Sequence, residues 1–429
     1  MQTGRSFSVL LSAARLGGRF FLPAAFGRLG VAMTGLAVFW AVQGSSGSLG
    51  HGGFATGAFA VADAAVGPHV ARLIDRWGQR RIVPVTTSLF GVAMAALVVA
   101  CVARSPEWVP IVLAAAVGAS LPPVGALSAA RWRKVTGPGV LSAARPKART
   151  NVLAPGENEA GPGNLLPAAL SLEAAVNDAA FLIGPVLVTT LGTSVAPWFS
   201  LVTATTFVAG GTFVLLTATD SEPPAGGFSP GTLMDRRLLH RGFLTLLAAN
   251  LALGFFFGGI GVAITGFTLA HDAGALTGPI TGAAGVVSLV AGLAYGALGV
   301  PRPAQVMLGA GIVLAAGCAL LALTPGLGTM FAGYALVGGC VALVLVPGAV
   351  LLQRAIVTAV TTQAMTWVNS ASALGIAVAA PLVGTVSGAH GWKAGFLALA
   401  ALTVTLPLTV AAAGPRRCAA RPPDAIVTR

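Results

Sequence analysis

Long apolar runs, separated by short polar breaks, dominate this chain. Runs long enough to cross a bilayer fall at about 21–43, 52–74, 82–103, 108–130, 168–191, 196–218, 242–270, 276–299, 305–323, 327–351, 363–386 and 393–413. A spanning helix needs about 20 mostly apolar residues, so this pattern predicts twelve spans and an all-α membrane protein. Most gaps are short. Two are long, about 131–167 and 219–241, and both are rich in Pro, Gly and charge, the composition of connecting segments. The second divides the chain into a six-span bundle at 1–218, a linker at 219–241 and a six-span bundle with a basic tail at 242–429.

Charge supports this reading. With the N-terminus inside, 22 of the 25 Lys and Arg residues fall on inner segments. Only Arg104 and Lys393 lie outside, and Arg28 lies within the first span. Basic residues gather on the cytoplasmic side of multispan proteins, so both termini are expected in the cytoplasm and the basic segments against anionic inner-leaflet lipid. The net charge of +13 is thus explained by topology, without a nucleic-acid partner. Composition agrees: 55% of the 429 residues are hydrophobic and 9% charged, with a mean hydropathy of +0.86. Soluble domains carry about 25% charged residues. Arginine greatly outnumbers lysine amid abundant Ala and Gly, a composition suggesting a GC-rich bacterial genome and hence an inner membrane. Cys101, Cys318, Cys340 and Cys418 show no metal-ligand spacing and read as small packing residues.

A weak internal repeat is present. Pro185 and Gly192 match Pro381 and Gly388 at an offset of 196, whereas Pro122 and Ala71 match Pro347 and Gly296 at 225. The shift corresponds to a longer connection between the fourth and fifth spans of the first half. Two parallel six-span units joined by a linker form a transporter architecture. Pro122-Pro123 and Pro347 are expected to break the fourth and tenth spans.

The clearest motif is GPHVARLIDRWGQRR, from Gly67 to Arg81, between the second and third spans. It resembles the signature loop of the major facilitator superfamily. Asp75, Arg76, Gly78, Arg80 and Arg81 keep that pattern, while Ala71 and Gln79 depart from it. The resemblance implies a twelve-span secondary transporter whose inner gate uses this loop, with Asp75 near the start of the eleventh span, where Thr361 and Thr362 offer capping groups. The fifth span carries Glu173, Asn177 and Asp178 in an apolar helix, followed by Gly184-Pro185. This partly resembles the antiporter signature of drug exporters in the same superfamily, which implies proton-coupled export.

Intramembrane charges are costly and are functional candidates by default. Asp178 is the leading proton carrier, Glu173 the runner-up. Asp63, Arg28, Asn250 and Asn369 complete the polar set within the spans. Arg28 lies near enough to the inner face to snorkel, or can pair with Asp63 or Glu173. No catalytic set, P-loop or metal-ligand spacing is found, so neither an enzyme nor a cofactor is expected. The expected partners are a small organic substrate and protons, and the expected state is a monomer. Proton-coupled uptake of a sugar or organic acid, and a non-transporting membrane sensor, are the rival readings.

Overall fold

The computed structural model describes residues 2–136, 165–226, 238–298, 301–355 and 361–413. Most of the 131–167 connection, the linker arginines Arg236 and Arg237, and the tail with Cys418 lie outside these residues. The first span belongs to a longer helix, Gln2–Ser46, and is followed by Leu49–Trp77 and Gln79–Val102. The fourth span is made of Trp108–Ser120 and Val124–Val135; the fifth and sixth are Leu165–Ser194 and Phe199–Thr217. The second half repeats the pattern with Arg241–Ala270, Thr277–Leu298 and Pro303–Leu321. Its tenth span combines Leu327–Gly339 and Ala342–Ala355, its eleventh is Thr361–His390, and its twelfth combines Trp392–Thr403 and Thr405–Ala413.

Among the described residues, eleven helical segments are long and apolar enough to cross a membrane. The second helix is the exception to the expected twelve. Its 29 residues suffice for length, at about 1.5 Å each. It is less apolar because it carries His51, Asp63, His69, Arg72, Asp75 and Arg76 among glycines and alanines. This composition is tolerated where protein, not lipid, covers the helix: Gly50, Gly52, Gly53, Ala55, Gly57 and Ala60 are buried.

Packing repeats between the halves. The first span packs on the fifth and sixth, as the seventh does on the eleventh and twelfth. The second packs on the fourth, as the eighth does on the tenth; the third packs on the fourth and sixth, as the ninth does on the tenth and twelfth. The protein is therefore built from two pseudo-symmetric six-helix bundles. Small residues permit the closest contacts. At Gly30 a Cβ would lie 2.6 Å from the Val208 backbone nitrogen, so the first and sixth spans meet backbone to backbone.

Helix breaks correct one expectation. Leu121, Pro122 and Pro123 interrupt the fourth span as expected. Pro347, however, lies inside the helix Ala342–Ala355, and the tenth span breaks at Cys340–Val341. Proline restricts the turn before it, both by its missing N–H and by its clash with the carbonyl four residues back. Here that residue is Leu343, and the helix restarts just before it, with Val344 and Leu345 both donating to the Val341 carbonyl.

Candidate functional site

The halves meet tightly at one end, the end of the turns at Gly47 and Gly391. There the second span packs on the eleventh and the fifth on the eighth. A Cβ at Gly57 would come within 2.7 Å of the Ala377 carbonyl, and one at Gly384 within 2.5 Å of the Leu49 carbonyl. Gly53 is pressed equally close to Ala380. At the other seam a Cβ at Gly278 would meet Val186 at 3.0 Å. A cleft of about 450 Å³ at this closed end is lined by His51, Phe54, Thr385 and neighbouring glycines.

Moving from that seam toward the basic end, the second span changes character. From Val61 to His69 none of its residues is buried. Asp63, at the midpoint of the helix, is half-buried and its carboxylate has no hydrogen bond or ion pair among the described residues. Asp63 stands three turns past Gly52 and so shares the face on which a Cβ at Gly52 would meet Phe39 of the first span at 3.0 Å; a Cβ at Gly118 of the fourth span would lie 3.1 Å from the Asp63 backbone nitrogen. Asn369 is exposed on the eleventh span. On the fifth span, Asp178 shares a helical face with Leu182 and Val186, which press on Gly285, Gly282 and Gly278 of the eighth span. Asp178 lies one turn nearer the basic end and is exposed, also without a bonded partner among the described residues. Asp178 thus occupies the face that the fifth span turns toward the second half, just past the closed seam, whereas Asp63 lies on the side of the second span that packs within its own half.

Glu173 is held quite differently. It is 5% exposed and Arg28 8%, and they form an ion pair inside the first half. Arg28 Nη1 donates to the Glu173 carbonyl at 2.9 Å, and Nη2 to the Gly125 carbonyl at 3.2 Å. Glu173 Oε1 accepts from the Ser128 hydroxyl and from Trp132 Nε1 at 2.7 Å. Buried charge is stable only when paired and hydrogen-bonded, and this cluster meets both conditions. Arg28 does not snorkel; it ties the first, fourth and fifth spans together. Asn177 is half-buried on the Glu173 side of the helix. Asn250 donates to the Leu246 carbonyl of its own helix at 2.9 Å. A Cβ at Gly184 would meet Ala32 and Met33 of the first span at 3.4 Å, and Pro185 is accommodated within the continuous helix Leu165–Ser194.

The signature turn stands at the basic end. Gly78 has φ 87° and ψ 156°, a region open to glycine almost alone; it ends one helix and begins the next. Asp75 and Arg80 are exposed, as is Arg81, and Arg76 lies over the Trp77 ring at 5.6 Å. The expected contact between the Asp75 carboxylate and the eleventh span is not among the bonds of the described residues, and the Thr361 and Thr362 side chains lie outside them. Sequence reasoning also missed the partners Ser128, Trp132 and Arg131: it singled out no polar side chain of the fourth span and took the segment after 130 as loop. The signal was available: Val124, Leu127, Ser128, Arg131 and Trp132 recur at three- and four-residue spacing, which continues the helix.

Comparison with solved structures identifies the architecture. The peptide transporter POT in complex with sulfate superposes with a TM-score of 0.65 at 15% identity, covering 94% of this chain and 95% of its own. The chain adopts the major facilitator fold. The human organic anion transporter MFSD10 (TETRAN) gives a TM-score of 0.59 at 17% identity over 93% of this chain and 99% of its own. The nucleoside transporter NupG, in a point-mutant form, gives 0.59 at 15% identity over 94% and 99%. No protein-family model and no curated protein matches the sequence. Within the major facilitator fold, the unpartnered Asp178 sits on a face toward the second half and the paired Glu173 sits inside the first.

Proposed function

We propose that this protein is a secondary transporter that moves a small organic molecule across a bacterial inner membrane by alternating access, driven by protons, in the direction of export. The termini and the basic loops face the cytoplasm, so the closed seam is the outer one and the conformation is inward-facing. The observation that carries this reading is Asp178: a carboxylate within a spanning helix, on the face that the fifth span turns toward the second half, with no cation bound to it among the described residues. A carboxylate so placed gains its proton easily where apolar surroundings disfavour its charge, and releases it where water enters. Asp178 is the leading carrier. Glu173 is a weaker one, because proton uptake there would leave Arg28 buried without its counter-charge.

The test is transport of a panel of dyes and toxic organic compounds by the purified protein in proteoliposomes, with an imposed proton gradient. Gradient-driven movement of one compound, abolished by a protonophore, is the expected result. Movement unaffected by the protonophore would remove proton coupling, and accumulation toward the basic-loop side would reverse the direction.

A further inference from the structure

The start of the linker is bound to the first half rather than hanging between the halves. Arg131, fully buried at the end of the fourth span, donates through Nη1 to the Ala218 carbonyl at 2.6 Å and to the Ser221 hydroxyl at 2.9 Å. Its Nε donates to Gln79 Oε1 at 2.9 Å, and Glu222 is the carboxylate whose field acts on the guanidinium. The Lys134 ammonium donates to the carbonyls of Asp220 at 2.9 Å and Glu222 at 2.6 Å. From the linker, Glu222 Oε1 accepts the Arg80 N–H at 3.2 Å, and the Gly226 N–H donates to the Asp75 carbonyl at 3.0 Å. A Cβ on Gly78 would lie 3.5 Å from that of Ala225.

These contacts also account for Gln79, one of the two departures from the signature loop. Gln79 is 2% exposed and presents its amide oxygen to Arg131. A cation at that position would face a buried guanidinium. The buried cation of this turn sits instead on the fourth span, and the residue on the loop is its acceptor. Glu222 then supplies a negative charge at the N-terminus of the third span, where unpaired N–H groups favour it.

We propose that residues 218–226 form a strap that positions the Asp75–Arg81 turn, with Arg131 as its buried anchor and Glu222 as its contact on the turn. The role in transport rests on the reading above; the strap itself is tested without it. The strap moves with the first half as one body and holds the turn in the shape it presents to the second half. Glu222 and Arg131 are positioning residues, touching neither substrate nor proton path.

The test is hydrogen exchange of peptides covering 78–82 and 218–226 in the purified full-length protein in nanodiscs, with no substrate added. Glu222→Ala is expected to speed exchange of the Arg80 amide at least tenfold, since a hydrogen-bonded turn exchanges only by local opening. Glu222→Gln keeps an oxygen acceptor and is expected to stay within about threefold of wild type. Gln79→Arg should loosen both peptides, because it sets a second cation against the buried guanidinium, and Arg131→Gln should loosen 218–226 by removing the donor to Ala218 and Ser221. Unchanged exchange in Glu222→Ala, or of 218–226 in Arg131→Gln, overturns the strap. In proteoliposomes, Glu222→Ala should lower turnover several-fold with KM unchanged, while Glu222→Gln transports as wild type does. Wild-type turnover in Glu222→Ala with exchange raised would keep the strap as structure and overturn its positioning role. A wild type that shows the exchange pattern but moves no compound would count against the transporter reading alone.

Discussion

Arg28 and Glu173 close on each other inside the first bundle, and each is also bound to the fourth span, Arg28 through the Gly125 carbonyl and Glu173 through Ser128 and Trp132. Removing one member strands the other. Breaking such a buried pair costs about 3–5 kcal/mol. Glu173→Gln is therefore expected to lower the unfolding temperature markedly in detergent, and Arg28→Met with Glu173→Met together to recover much of the loss. Unchanged thermal stability in Glu173→Gln would mean that the pair does not hold the three spans.

Asp178 carries the opposite expectation. It has lost no partner when replaced, so Asp178→Asn should leave stability within about 0.5 kcal/mol, as surface substitutions away from specific contacts do. It should abolish gradient-driven accumulation while downhill exchange persists, because Asn matches the shape but does not titrate. If the variant still accumulates substrate and a protonophore still collapses the accumulation, the proton travels elsewhere, and Asp63→Asn is the next variant to assay.

Asp75 is exposed at the open, basic end and its carboxylate is unbonded among the described residues. A partner on the second half would be met only when that end closes. Asp75→Asn should accordingly reduce transport several-fold at equal surface expression without lowering thermal stability. Wild-type transport at matched expression removes the gating role.

The closed seam makes a steric prediction. At Gly57 any larger side chain must displace the Ala377 backbone. Gly57→Leu is expected to hold the seam open, and a cysteine placed at the buried Ala380 in a cysteine-free background should then react faster with an impermeant thiol reagent added on the outer side. Equal labelling with and without the substitution would show that the seam accommodates the side chain.

The bundles were legible in the sequence because lipid imposes a strong rule: apolar runs of fixed length, with basic segments on alternate sides. The second helix was legible too, although its composition is too polar for the apolarity rule, because its neighbours set the phase. The pairing of Arg28 with Glu173 was one of two options, since sequence alone does not show whether a long side chain turns inward or toward the lipid headgroups. Pairing requires that Ser128 and Trp132 lie on the facing side of the fourth span, and this depends on the helix continuing to Val135. The tenth-span break was misplaced because proline marks a restriction on the preceding turn, while Gly338-Gly339, immediately upstream, lets the chain turn there. Nothing in the local pattern signalled the strap, whose contacts join residues far apart in the chain.

The glycine seam has a kinetic consequence. Helices that interlock through long side chains must withdraw them past one another before they separate, and each withdrawal demands rotamer changes in a crowded space. At Gly53, Gly57 and Gly384 the second and eleventh spans touch through backbone, whose polar groups remain bonded within their own helices. Such surfaces can slide or part as smooth bodies, with nothing to unthread and no donor left bare. In the alternating-access cycle we propose, this surface breaks and remakes without a slow repacking step.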